Sequence, residues 1–257
     1  MRLVWCTDIH LNFVPLGARA FGEAVATRNP DAVIITGDVA ESGSFEGALK
    51  EFARGVGCPV YFVLGNHDYY GSSIKHVNAK ARILGKPLHW LTESGIVELT
   101  KDVALVGHEG WYDCRIGDYT KLEMSDFTYI KELKGLPRIG IVAKCRDLGK
   151  ASAEAAKPFV EEALSKYKKV FFATHVPPFH EAAVYKGKPS DSVWAPWFTN
   201  LSMGDMLFSA AENSTSHLTV LCGHTHGDGV VSMLPNLKVY TGHAEYANPT
   251  VCGTFTL

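Results

Sequence analysis

Short apolar runs recur along the chain, and most of them stop abruptly at glycine, a carboxylate or an imidazole. Leu3-Val4-Trp5-Cys6, Ala32 to Thr36, Pro59 to Leu64, Lys169 to Thr174 and Leu218 to Cys222 are rich in β-branched and aromatic residues, the composition of buried strands. Stretches of helical spacing separate the first three, from about Leu16 to Arg28 and from about Ser44 to Arg54. Further helices are predicted over about Gly71 to Leu84, Ala151 to Lys166 and Gly204 to Asn213, with short strands near Gly95 to Leu99 and Val103 to Val106. Strand and helix in alternation predict an α/β fold with a largely parallel sheet that carries its functional groups at the strand carboxyl ends. From Gly229 onward the pattern changes to antiparallel strands, with turns at Leu234-Pro235-Asn236 and Asn248-Pro249.

The rhythm breaks between residues 111 and 150, where basic and acidic residues mix without a clear period. This segment reads as a partly helical insertion lying over a single domain of residues 1–257, being too short to build much of a core. Trp111-Tyr112 opens it, as lid or as core.

The ends of the apolar runs hold the candidate chemistry. Asp8 and His10 stand two apart after the first run and share one strand face. Asp38 follows the second run, Asn66, His67 and Asp68 the third, His175 the fourth, and His224 and His226 the fifth. Singly, each is an ordinary turn, cap or hydrogen-bonded residue. Together, three carboxylates, an amide and five imidazoles at one sheet edge leave much charge and polarity without partners unless cations sit among them. The set is too large for one tetrahedral zinc site and contains no thiolate. It suits two adjacent divalent ions about 3.5–4 Å apart, the arrangement used for phosphoryl chemistry.

The order Asp8-x-His10, Gly37-Asp38, Gly65-Asn66-His67-Asp68, His175 and Gly223-His224-x-His226 resembles the five motifs of the calcineurin-like metallophosphoesterases, over residues 4 to about 243. The resemblance implies a four-layer αββα sandwich with two mixed β-sheets and a dinuclear site of Mn, Fe or Zn at the sheet edge. It implies that Asp8, His10, Asp38 and His226 hold one ion and that Asp38, Asn66, His175 and His224 hold the other, with Asp38 bridging. By the same resemblance His67 lies over the phosphate as a general acid or charge stabiliser, oriented by Asp68, whose carboxylate would raise the imidazole's pKa. A hydroxide shared by the two ions would attack phosphorus. The protein Ser/Thr phosphatase branch usually has Glu in place of Asp68 and an Asp-Arg pair after the bridging aspartate, where this chain has Val39-Ala40-Glu41-Ser42. A phosphodiesterase or small-molecule phosphatase is therefore favoured, with nucleotides the leading substrates. The alternatives are a nuclease acting on single strands or ends and, more remotely, a non-enzymatic scaffold.

Composition narrows the partners. A formal net charge of −2 gives no global basic field, so duplex nucleic acid is not supported. No run approaches the roughly 20 apolar residues of a membrane span. A first strand starting directly after Met1 and six scattered cysteines without a CxxC pair point to a cytoplasmic protein with reduced thiols. Candidate substrate contacts are His108, Arg115, His180, Trp194 and His243, with Tyr185, Lys186, Lys188, Trp197 and Phe198 on the loop that follows His175.

Overall fold

Side-chain alternation along the strands decides how this chain is layered. The computed structural model describes residues 1–14 and 17–257. In one sheet β1 (Arg2–Cys6), β2 (Ala32–Thr36), β3 (Val60–Val63) and β4 (Leu88–Trp90) run parallel in that order. A second sheet contains β5 (Val97–Thr100), β6 (Val103–Gly107) and β7 (Lys169–Ala173). The two-residue strands β8 (Val184–Tyr185) and β9 (Lys188–Pro189) form a separate hairpin, and β10 (His217–Cys222), β11 (Gly229–Leu234) and β12 (Leu237–Thr241) complete the second sheet. Its order is β11-β12-β10-β7-β6-β5, parallel inside and antiparallel at both edges. The last strand, β13 (Gly253–Thr256), returns to pair antiparallel with β1, so both sheets are mixed.

Helices α1 (Gly17–Ala26), α2 (Phe45–Val56) and α3 (Ile74–Arg82) follow the first three strands. After the short α4 (Leu91–Ser94) and α5 (Asp126–Tyr129) come α6 (Arg138–Lys166), the short α7 (Ala195–Phe198) and α8 (Leu201–Glu212). Successive strand residues point to opposite faces. Leu3, Trp5, Ala32 and Ile34 accordingly pack against Leu105, Phe171 and Ala173 between the sheets. Val4, Cys6, Val33 and Ile35 turn to the other side, onto Val25 of α1 and Phe45, Leu49 and Phe52 of α2. On the far sheet Val106, Val170, Phe172 and Val220 meet Val160 and Ala163 of α6 and Leu207 of α8. The result is the expected four-layer α/β sandwich of helices, sheet, sheet and helices. No helix among the described residues is long and apolar enough to cross a membrane.

The structure redraws several boundaries. The Leu16 start of the first predicted helix lies outside the described residues. Strand β4 was not expected, and α8 begins at Leu201 because the Asn200 side chain caps it, accepting from the Met203 amide at 3.1 Å. The insertion at 111–150 is redrawn most. Its last third is the first half of the 29-residue α6, and apolar side chains of its remainder enter the core. Trp111, Tyr112, Phe127, Ile130, Leu133, Ile141, Val142 and Cys145 are buried in the same cluster as the helix-covered face of the first sheet. Gly149 permits that docking, since a Cβ there would press on Asp113 Cβ at 2.7 Å and on the Trp111 carbonyl at 2.9 Å.

Asp68 ties together the loops that leave β2 and β3. One carboxylate oxygen accepts the Val39 and Ala40 amides, both at 2.9 Å, and the other accepts the Gly65 amide at 2.7 Å. The side chain is fully buried, and these bonds engage both oxygens. This corrects the expectation that Asp68 orients His67: the 3-10 turn His67–Tyr69 sends adjacent side chains different ways. Asp68→Ala would leave three buried amides without an acceptor, each costing about 1–3 kcal/mol when unsatisfied. The expected outcome is a stability loss of at least about 3 kcal/mol, seen as a lower urea midpoint with unchanged slope. A wild-type midpoint would show that the clamp is unimportant.

Candidate active site

The polar strand ends of both sheets meet at one edge of the sandwich. Asp8 and His10 follow β1, Asp38 follows β2, Asn66 and His67 follow β3, His175 follows β7, and His224 and His226 follow β10. Backbone bonds knit these ends beyond the strands, from the Asp8 amide to the Gly37 carbonyl at 3.1 Å and from the His10 amide to the Asp38 carbonyl at 3.0 Å. The His224 amide in turn donates to the Asp8 carboxylate at 3.0 Å.

This convergence strains the backbone. Asp8 (φ 47°), His10 (39°), Asp38 (51°), His224 (71°) and His226 (58°) all occupy the left-handed region, five of the nine such non-glycine residues among the described residues. Conformations of this kind cost of order 1–3 kcal/mol each and persist where the surroundings over-determine them, as at functional sites. The glycines that precede ligand-type residues have a steric reason. A Cβ on Gly65 would run into the Asp38 carboxylate, and one on Gly223 would run into Asp8 and Thr7.

Asp8, His10, Asp38 and His226 each offer one donor atom, all within 4.8 Å of one another. His10 Nε2 faces His226 Nε2 at 3.3 Å, and His226 Nε2 lies 3.4 Å from Asp8 Oδ1. His10 Nδ1 is buried without a partner. Beside this cluster Asn66 Oδ1 lies 3.1 Å from His175 Nε2 and 3.0 Å from His224 Nδ1, and Asp38 Oδ1 lies 3.5 Å from His175 Nε2.

The proton inventory shows what this second group wants. His175 Nδ1 donates to the Thr36 carbonyl at 2.8 Å, and His224 Nε2 donates to the Trp197 carbonyl at 2.9 Å. Burial pushes His224 down to about 3 and lowers His175 as well, so each ring carries a single proton at neutral pH. That proton is already committed. Two nitrogen lone pairs and an amide oxygen therefore converge with no hydrogen between them, which is the condition a cation satisfies.

In the first cluster burial likewise pushes His10 down to about 3. Burial opposes the charged form of His226, but its hydrogen bond and charge interaction with Asp8 prevail and raise it. Burial, followed by the charges of Asp8 and Asp68, raises Asp38. Imidazole nitrogens beside carboxylates that repel one another form a donor set suited to a divalent ion, whose binding would displace the proton that Asp8 favours on His226.

Sequence reasoning missed Asp126, which lies in the aperiodic segment before α6. Fully buried, it accepts from Asn66 Nδ2 at 2.9 Å, Tyr70 Oη at 2.5 Å and Tyr112 Oη at 2.7 Å. Because an ionised carboxylate only accepts, it fixes the Asn66 amide with its oxygen toward His175 and His224. Tyr70 in turn stacks on His67, with ring centroids 4.2 Å apart. One carboxylate thus sets both Asn66 and the ring beneath His67. Nothing in its local sequence marks it out from the other acids nearby.

His67 lies at the mouth with its side chain 20% exposed and Nε2 4.0 Å from Asp38 Oδ2, outside both donor groups. Burial lowers its pKa to about 4, the opposite of the expected rise, and the carboxylate that most opposes this effect is Asp126.

The expected substrate contacts are dispersed. Arg115 pairs with Asp205 at 2.6 Å, in a groove between α6 and α8. His180 Nε2 donates to the Ser190 carbonyl at 2.7 Å and braces its own loop. His108 Nδ1 meets the Gly110 amide at 3.2 Å and Glu109 at 3.3 Å, which holds it beside β6. His243 reaches the His226 carbonyl at 3.1 Å and supports that ligand-bearing loop. Trp194 reaches the site only through Phe198, on which it packs and which packs edge-on against His224.

Comparison with known proteins agrees with this geometry. The family model described as calcineurin-like phosphoesterase matches residues 1–228. A probable cyclic nucleotide phosphodiesterase from Synechococcus sp. is 28% identical over 139 residues, 46% of this chain and 53% of that protein, so the match spans about half of the relative's length. Among solved structures, phosphopantetheinyl hydrolase from Mycobacterium tuberculosis superposes with a TM-score of 0.70 at 14% identity, covering 95% of this chain and 89% of that one. A dimetal phosphatase from Danio rerio gives a TM-score of 0.64 at 12% identity over 99% and 91% of the two chains. With the family model covering most of its length and the motif residues gathered at one sheet edge, the chain belongs to the calcineurin-like phosphoesterases.

Proposed function

We propose that this protein hydrolyses phosphate esters of small molecules, nucleotides foremost, with two metal ions held on either side of Asp38. The observation that carries this reading is the division of one carboxylate. Asp38 Oδ2 lies 3.8 Å from His10 Nε2, while Oδ1 lies 3.5 Å from His175 Nε2. Asp8, His10, Asp38 and His226 would hold one ion, and Asp38, Asn66, His175 and His224 the other, a mixed nitrogen and oxygen set suited to Mn, Fe or Zn. Such ions, when bound, bring the pKa of water toward neutrality and offset the negative charge on the phosphoryl oxygens.

The chain supplies position and a proton. His67, backed by Tyr70, faces the mouth as a neutral ring at pH 7. An arriving phosphate anion raises its proton affinity, so it can donate to a phosphoryl or leaving-group oxygen in the transition state. Nucleotides are favoured because the sequence relative from Synechococcus carries a cyclic nucleotide phosphodiesterase name. The six free cysteines suit a cytoplasmic setting.

Metal analysis followed by turnover of an aryl phosphodiester and its monoester tests the reading. Two equivalents of metal and chelator-sensitive hydrolysis are expected, and no turnover with two ions bound would refute it. His67→Ala should retain both ions yet lose about 100-fold or more in kcat; unchanged turnover would remove its role. Asp126→Asn, which cannot accept from three donors as a carboxylate does, should weaken metal affinity about 10- to 100-fold in calorimetric titration. Wild-type affinity would show that Asn66 holds its orientation without Asp126.

A further inference from the structure

Ten large hydrophobic side chains are exposed among the described residues, and two of them stand directly over candidate metal ligands. Phe13 and Tyr246 are 46% and 48% exposed. The Tyr246 ring lies 4.5 Å from that of His10, 5.1 Å from His226 and 6.2 Å from His67. The Phe13 ring lies 6.3 Å from His10 and meets Tyr246 at 88°, with centroids 5.7 Å apart. Phe13 is fixed there because it ends the 3-10 turn that starts right after His10, its amide bonded to the His10 carbonyl at 2.9 Å. Tyr246 approaches from the opposite end of the chain, on the loop between β12 and β13.

Two rings at right angles make a corner. A flat ring laid on one of them presents its edge to the other, so stacked and edge-to-face contacts form at the same time. Residues needed only to anchor a loop would bury most of their surface, whereas these leave about half of it to water at the mouth where His67 is also exposed. The Lys and Arg groups that lie over aromatic rings among the described residues do so at Trp90, Phe127, Trp197, Tyr119 and Tyr185, not at Phe13 or Tyr246. The corner therefore offers π-faces that no cation occupies, which a planar aromatic group fits.

We propose that Phe13 and Tyr246 form a stacking subsite for the aromatic base of a nucleoside phosphate, holding it beside the His10 and His226 side of the site. This rests on the phosphoesterase reading and adds the substrate feature that the enzyme selects. Stacking is tolerant of base identity, because every base has a π-face. The subsite would therefore prefer nucleosides over aliphatic alcohols without choosing strongly among bases.

The test is calorimetric binding to the manganese-loaded protein of two phosphonates, the methylene analogues of AMP and of glycerol 3-phosphate, neither of which can be hydrolysed. Wild type should bind the AMP analogue roughly 10- to 100-fold more tightly. Phe13→Ala and Tyr246→Ala should each bring that ratio close to one, and Tyr246→Phe should keep it. Manganese affinity measured on each variant separates lost stacking from a disturbed His10, and Phe13→Ala, the more distant change, decides if Tyr246→Ala loses metal. Equal binding of both phosphonates by wild type, or a ratio that survives both alanine changes, overturns the subsite. Ester hydrolysis without base preference would remove the corner and leave the hydrolase standing. A base preference lost in the alanine variants of a protein with no turnover would keep the corner and remove the hydrolase.

Discussion

Burying carboxylates beside imidazoles at one sheet edge is the constraint on which the rest of this structure depends. Asp8, Asp38 and Asp68 are each at most 1% exposed, and Asp38 is raised in part by the charges of the other two. Each solves its desolvation differently. Asp68 takes three backbone amides and becomes a strut. Asp8 takes the His224 amide and the Thr7 hydroxyl and still faces His226. Asp38 accepts the His67 amide at 2.9 Å and otherwise looks onto imidazole nitrogens on two sides, which makes it the carboxylate left for cations. The left-handed residues and the close-fitting glycines are the steric cost of aiming these groups at one another. Strain of that kind can be carried only because β1, β2, β3, β7 and β10 are buried on both faces and cannot relax.

The segment before α6 belongs to the site as much as to the core. Its apolar residues join the helix-covered face of the first sheet, and that packing delivers Asp126 beneath Asn66 and Tyr70. Because Tyr70 stacks on His67, a shift of this segment would act on the proposed metal site and on the proposed acid together.

What the sequence revealed is what depends on neighbours along the chain. An apolar run that stops at a glycine, carboxylate, amide or imidazole marks a strand end, and five such ends locate the candidate ligand residues and the sandwich. Roles that depend on distant residues were hidden. Asp126 lies 60 positions from Asn66 in a stretch with no period. Asp68 adjoins His67 in sequence, which suggested a pair, yet the turn between them sends its carboxylate to Val39 and Ala40. The first half of α6 was masked because Gly140 and Gly149 interrupt it, and Gly149 is there for the close approach of Trp111 and Asp113. Arg115 was a candidate substrate contact by charge alone, but charge does not say which surface a residue is on, and it pairs with Asp205 elsewhere.

The site's surroundings bear on what kind of ester it takes. Polymeric nucleic acids are bound largely through Lys and Arg contacts to many phosphates, and affinity falls steeply with salt. Here the groups at the mouth are the imidazoles of His67 and His226 and the half-exposed rings of Phe13 and Tyr246, with His10 buried behind them, on a chain of net charge −2. On the proposed reading one phosphate would be met at Asp38 and its neighbours through the ions, while a second phosphate several ångströms away would find no Lys or Arg among these groups. Discrimination must then come from the organic half of the ester. On the proposed reading, aromatic surface would provide it without the salt dependence of a phosphate track, which favours a small nucleoside ester over a strand.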